Sequence, residues 1–143
     1  MHISVIDLVM SFSRGSLRTI IIMGIVTSTI TACETATPGF SQKGYFKANK
    51  HRIMTFTYPK EACADDIKRH GASRMYTPGR LLAVYYYPEG APVPDVTLAQ
   101  DVLVANDMIA QIGGYRYVFM RTLRGQIIFV DCEKNRKHDL CTK

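Results

Sequence analysis

Four cysteines, Cys33, Cys63, Cys132 and Cys141, carry the most versatile chemistry in this chain of 143 residues. A thiolate can attack a carbonyl, exchange with a disulfide or ligate a metal, but redox and metal work need partners at set spacing. No C-x-x-C occurs, and His138 with Cys141 or His70 near Cys63 offers only part of a ligand set. In the absence of an H-E-x-x-H or similar frame, His51, His70 and His138 are expected in exposed or capping roles rather than as metal ligands. Asp65 and Asp66 are adjacent, and neighbours on a helix point about 100° apart, so they would not act on one substrate as an acid and base pair. Arg69 and His70 stand four residues on, which suits a solvated helix face with intrahelical ion pairs. There is no G-x-S-x-G elbow, phosphate-cradling glycine loop or S-x-x-K. Neither catalytic residues nor a bound metal are therefore expected.

The aromatic residues are more suggestive. Tyr85, Tyr86, Tyr87, Tyr115, Tyr117 and Phe119 fall in two strand-like runs. If Tyr115, Tyr117 and Phe119 alternate onto an uncovered sheet face with Arg116 and Arg121 nearby, they form a platform for a partner protein or glycan. The competing reading is core, because one alternating set must face the helices and aromatic rings fill that space well. The pattern alone does not say which face the helices cover.

Residues 14–33 read RGSLRTIIIMGIVTSTITAC: a basic stretch with Arg14 and Arg18, an apolar run from Ile20 to Ile30, then Thr31 and Ala32. That order is the layout of a secretory signal peptide. A membrane-spanning helix needs roughly 20 apolar residues, whereas Thr27, Ser28 and Thr29 interrupt this run. Ile30-Thr31-Ala32-Cys33 resembles the lipobox of bacterial lipoproteins. The resemblance implies cleavage before Cys33, a thioether-linked diacylglyceryl group on its sulfur and, in many Gram-negative bacteria, a further acyl chain on the new amino group. Each buried methylene contributes about 0.8 kcal/mol, so two or three chains make a lasting anchor where one does not. No cofactor is implied beyond this covalent lipid. The apolar stretch before Arg14 is long for a leader, and Met10 would start one of ordinary proportions. Glu34 follows the cysteine where Asp would retain an enteric lipoprotein in the inner membrane, so the periplasmic face of the outer membrane is expected if the organism is Gram-negative.

With Cys33 carrying lipid, three cysteines remain in a compartment that permits disulfides. An odd number leaves at least one free or paired between chains. Cys132 and Cys141 are the preferred pair, clipping the charged tail to the last strand, while Cys63 could pair with either or stay a buried thiol. Such a loop contributes roughly 2 to 3 kcal/mol in the chain-entropy account.

Removing residues 1–32 takes away Arg14, Arg18 and Asp7 and leaves 16 basic against 11 acidic residues in a single domain's length of chain. The excess gathers as Lys43, Lys47, Lys50 and Arg52 early and Lys134, Arg136, Lys137 and Lys143 late. Anionic headgroups, an acidic partner or plain solvation would each suit it. Basic residues among aromatics also fit single-stranded nucleic-acid binders, but export to the envelope argues against nucleic acid.

These features need a scaffold. Residues 34–44, ETATPGFSQKG, have the composition of a flexible tether. Tyr45 to Tyr58 alternates like a strand, and Pro59 and Gly71 bracket a short amphipathic helix with Cys63, Ala64 and Ile67 on one side. Arg80 to Tyr87 reads as a largely buried strand stopped by Pro88. From Thr97 to Gly113, Leu98, Val102, Ala105, Ile109 and Ile112 recur at helical spacing, with Asp95 or Thr97 as N-cap and Gly113 as C-cap. Tyr115 to Thr122 and Gln126 to Asp131 form a hairpin, and the tail beyond Cys132 reads as a charged loop.

The expected layout is a signal peptide over 1–32, a lipidated cysteine and tether over 33–44 and one globular domain over 45–143. The expected fold is α+β, a small two-layer sandwich of order β-α-β-α-β-β with two helices on one face of a four-stranded, mainly antiparallel sheet. The expected function is a noncatalytic envelope lipoprotein that binds another envelope component as an accessory part of an assembly. The alternative is a module that binds lipid, peptidoglycan or a small molecule. Cys33→Ser is expected to abolish palmitate labelling and release the protein from membranes; a variant that still labels and sediments with membranes would end the lipoprotein reading.

Overall fold

The computed structural model describes residues 39–141, all within the second of two compact units into which the chain divides, Cys33–Lys143. The stretch expected as a leader, which includes Met10, lies outside the described residues, as do Cys33 and Glu34. Five strands and two α-helices follow in order: β1 (Ser41–Ala48), β2 (His51–Tyr58), α1 (Ala64–Ala72), β3 (Leu81–Pro88), α2 (Val102–Ile112), β4 (Tyr117–Arg121) and β5 (Ile127–Asp131). The fold is α+β around a mixed sheet of order β1-β2-β3-β4-β5. Only β2 and β3 run parallel, joined across α1; the other three pairings are antiparallel.

The fifth strand comes from the run between Tyr45 and Tyr58, expected as one strand. It folds back on itself at Asn49, whose φ of 47° is one of the few left-handed conformations that a short polar side chain tolerates. The turn shifts the alternation, so that Phe46 and Ile53, seven residues apart, pair and face the same side, with the largely polar stretch 47–52 between them. β1 also starts earlier than expected, at Ser41, and Phe40 packs against the core, so residues 39–44 belong to the fold rather than to a tether.

The helices lie on opposite faces of the sheet, which corrects the two-layer expectation. Strand residues alternate between faces. Leu82, Val84 and Tyr86 of β3 pack with Ile67 of α1, whereas Ala83, Tyr85 and Tyr87 pack with Ala105 and Ile109 of α2. Six consecutive residues of β3, Leu82 to Tyr87, are therefore buried. A strand covered on both faces reads as a continuous apolar run, as this one does.

Helix ends follow local chemistry. α1 begins beyond Cys63, not at Pro59, and the Asp66 carboxylate accepts the Cys63 backbone N–H at 3.3 Å and pairs with Arg69. Asp66 is consequently buried, not part of a solvated face. A separate 3-10 turn, Val96–Leu98, precedes α2 and is capped by Asp95, while Asp101 caps α2 by accepting the Val104 N–H at 2.9 Å. Gly113, with φ of 59°, ends α2. The tail is stapled by a Cys132–Cys141 disulfide with Cα atoms 5.4 Å apart.

Gly71 does not end α1; it lies inside the helix, where a β-carbon would stand 2.4 Å from Cγ of Phe119 on β4. Its role is close approach of helix to sheet. On propensity alone, Gly71→Ala would gain up to about 1 kcal/mol, but overpacking costs typically 1 to 3 kcal/mol. We expect Gly71→Ala to lower the urea midpoint with an unchanged m-value; a raised midpoint would contradict this packing.

Candidate interaction surface

β4 turns Tyr117 and Phe119 toward α1, where both are buried. Tyr115, before the strand, packs instead on the α2 side and donates its hydroxyl to the Leu140 carbonyl at 2.8 Å. The three rings thus form no exposed platform, because both faces of the central strands are covered. The expected set of Tyr115, Tyr117, Phe119, Arg116 and Arg121 is dispersed. Arg116 pairs with Glu133 at 2.8 Å and lies 5.1 Å over the Tyr117 ring, tying β4 to the tail. Arg121 lies at the other end of β4, 4.8 Å over the ring of Tyr76.

Several buried tyrosines resist ionisation. Burial pushes the Tyr85 hydroxyl up to about 12, and burial together with Tyr117 does the same for Tyr58. Tyr86 and Tyr87 are also raised by burial. Groups this hard to ionise serve in packing rather than as bases.

His70 differs from its expected exposed or capping role. It stacks on Phe40 with ring centroids 4.0 Å apart, meets the edge of Phe56, and places Nδ1 2.8 Å from the Tyr86 hydroxyl. Burial, then the nearby Arg74 charge, lowers its pKa to about 4. His138 conforms: it is exposed, and its Nδ1 accepts the Leu140 N–H at 3.1 Å. Among the described residues, no three His, Cys, Asp or Glu side chains gather as a metal-ligand set. Cys63 stands at the N-cap of α1, its backbone N–H held by Asp66.

The surface with a clear shape lies at α2. Between α2 and the sheet runs a cleft of about 530 Å³ lined by Ile53, Leu81, Ala83, Ile109, Ala110 and Met120. His51, Asn106 and Asp139, with Tyr85 and Tyr115, are the polar side chains of its lining. Leu103 stands at this cleft with 71% of its surface exposed, and Val104 and Ile112 of the same helix are also exposed. Sequence periodicity placed Leu98, Val102, Ala105, Ile109 and Ile112 on one buried stripe. Ala105 and Ile109 are buried, but Leu98 sits in the separate 3-10 turn and, like Ile112, is exposed. The Val102-Leu103-Val104 run carried the missed signal, since three consecutive apolar residues cannot all face one sheet.

A second opening, of about 610 Å³, lies at the carboxyl ends of β2 and β3, between Tyr58, Pro88 and the disulfide-closed tail. Ends of parallel strands favour ligand sites in open α/β sheets. Here Arg116, the charged group nearest the sheet, is already engaged by Glu133. No protein-family model matches the chain, and no curated protein or solved structure is significantly similar to it.

The lowered pKa of His70 sets a pH dependence. Between pH 6.5 and about 4 the unfolded chain binds a proton on this histidine that the folded chain does not, so stability falls as pH drops through that window. His70→Gln, which retains an acceptor for Tyr86, is expected to flatten the fall in thermal midpoint over the same range. An unchanged slope would mean that His70 protonates freely in the fold.

Proposed function

We propose that the protein is a noncatalytic envelope lipoprotein, held by lipid on Cys33 at the periplasmic face of an outer membrane, whose domain binds another envelope protein as an accessory part of an assembly. The observation that carries the binding reading is α2: Leu103 is exposed at an apolar cleft, and Val104 and Ile112 of the same helix are exposed as well. An exposed Leu103 over an apolar cleft suits the centre of a protein interface, with Asn106, His51 and Asp139 also lining that cleft. The cleft supports a second reading, an apolar ligand such as an acyl chain or small molecule, because its volume falls within the usual range for such sites.

The anchor and the binding face are separable. A thioether consumes the Cys33 sulfur, so peptide mapping that recovers Cys33 in a disulfide with Cys63 would overturn the lipid anchor without touching the role of α2. For α2, a photo-crosslinking residue in place of Leu103 is expected to give one discrete adduct in the envelope fraction, weakened by Ile112→Asp. The same residue in place of exposed Lys60 should give none. If no adduct forms but lipid ligands raise the thermal midpoint, the ligand reading holds; stabilisation reaches about 2.7 kcal/mol at 100 times the dissociation constant. If neither occurs, α2 is not the binding face.

A further inference from the structure

The register of the sheet assembles a row of cations that the linear sequence disperses. Lys47 of β1 pairs with Arg52 of β2, Arg52 with Leu82 of β3, Leu82 with Arg121 of β4, and Arg121 with Ile127 of β5. Cross-strand partners face the same side, and neighbouring strands are about 4.8 Å apart. Lys47, Arg52 and Arg121 therefore share one face at one end of the sheet, the face that α1 covers further along. Lys50, Arg80 and Arg124 join them from the adjoining turns.

The segments 47–52, 73–82 and 120–127 that build this end contain no Asp or Glu. Among the described residues the ion pairs involve Arg69, Arg116 and Lys134, and none of these six cations. Their hydrogen bonds go to carbonyls: Arg52 Nη1 donates to Met75 O at 2.7 Å and Arg80 Nη1 to Asn49 O at 3.2 Å. Arg52 is 8% exposed, yet its Nε, like that of Arg121, has no hydrogen-bond acceptor. Carbonyl contacts orient a guanidinium without cancelling its charge. By contrast, the tail at the opposite end of the sheet mixes Lys134, Arg136 and Lys137 with Asp131, Glu133 and Asp139.

Apolar side chains stand exposed among the cations. Met75 is 74% exposed, Leu123 48% and Ile127 49%. The loops that carry them are fixed, because the Tyr76 hydroxyl donates to Thr122 O at 3.0 Å and Arg121 stacks on the Tyr76 ring. We propose that this end of the sheet is a docking surface for an anionic lipid bilayer, with the exposed Lys47, Lys50 and Arg124 on headgroup phosphates, the buried Arg52 adding positive potential beneath them, and Met75, Leu123 and Ile127 entering the acyl boundary. Cations flanking projecting apolar groups are the composition that binds such an interface. A single-stranded nucleic acid would instead need an open aromatic face, and Tyr76, the ring at this surface, is capped by Arg121.

The test uses unlipidated chain 33–143 with its cysteines intact, which retains every described strand and helix, so the anchor cannot contribute. Co-sedimentation is measured with phosphatidylcholine vesicles with and without phosphatidylglycerol, at low and high salt. Binding is expected only to the phosphatidylglycerol vesicles and to fall at high salt. Lys50→Gln and Arg124→Gln should each weaken partitioning about fivefold, Leu123→Ser should also weaken it, and Lys137→Gln should leave it near the parent value. No binding at low salt, or equal loss with Lys137→Gln, would overturn the proposal. So would a single-stranded oligonucleotide that binds through Lys50 and Arg124 while vesicles do not. Because α2 is unaltered and Cys33 carries no lipid, failure here is distinct from failure of either part of the proposed function.

Discussion

Burial of both faces of β3 is the constraint on which the rest of the structure depends. Leu82, Val84 and Tyr86 need cover on one side and Ala83, Tyr85 and Tyr87 on the other, and a single helical layer supplies only one. Placing α1 and α2 on opposite faces resolves this, and the parallel β2-α1-β3 crossover follows from the same arrangement. Burying one such side chain contributes about 1.5 to 3 kcal/mol, so six in a row outweigh any local preference at the helix ends. Gly71 is one consequence. A helix pressed this closely onto Phe119 leaves no room for a β-carbon.

The same coverage decides where function can reside. Aromatic rings that would make a sticky platform on an open sheet are drawn into the core. What remains for recognition is the perimeter: the outward side of α2 and the ends of the strands. The two ends differ in character. At the carboxyl ends of β2 and β3 the tail folds back under a disulfide and neutralises Arg116. At the opposite end, positive charge from three separate segments accumulates without a carboxylate.

Much of this was legible in the chain, for identifiable reasons. The strands at 81–88, 117–121 and 127–131, the Gly113 stop and the Cys132–Cys141 pair all rest on local signals: apolar runs, a left-handed glycine and close spacing of two thiols. The Asn49 turn left only a short signal, the largely polar stretch 47–52 across which the residues of one face shift from even positions to odd ones, as Phe46 and Ile53 show. The start of α1 was displaced because Pro59 is a permissive first residue, whereas the Asp66 carboxylate reaching back to Cys63 is the stronger cap. His70 looked like a surface residue until Phe40, from the stretch read as tether, was found stacked on it.

Taken by itself, the sequence determined the basic balance of the domain, the α+β alternation and the absence of any familiar catalytic spacing, and it carries the pattern before Cys33 on which the leader reading rests, since each depends on residues close together along the chain. It also held, unread, the reason for a second helical layer, in the unbroken apolar run of β3. Only the tertiary structure decided which rings are core, which side of α2 is exposed, and that Lys47, Arg52 and Arg121 lie in one row. Those are properties of register and layer order, and a one-residue difference in pairing sends a side chain to the opposite face of a sheet.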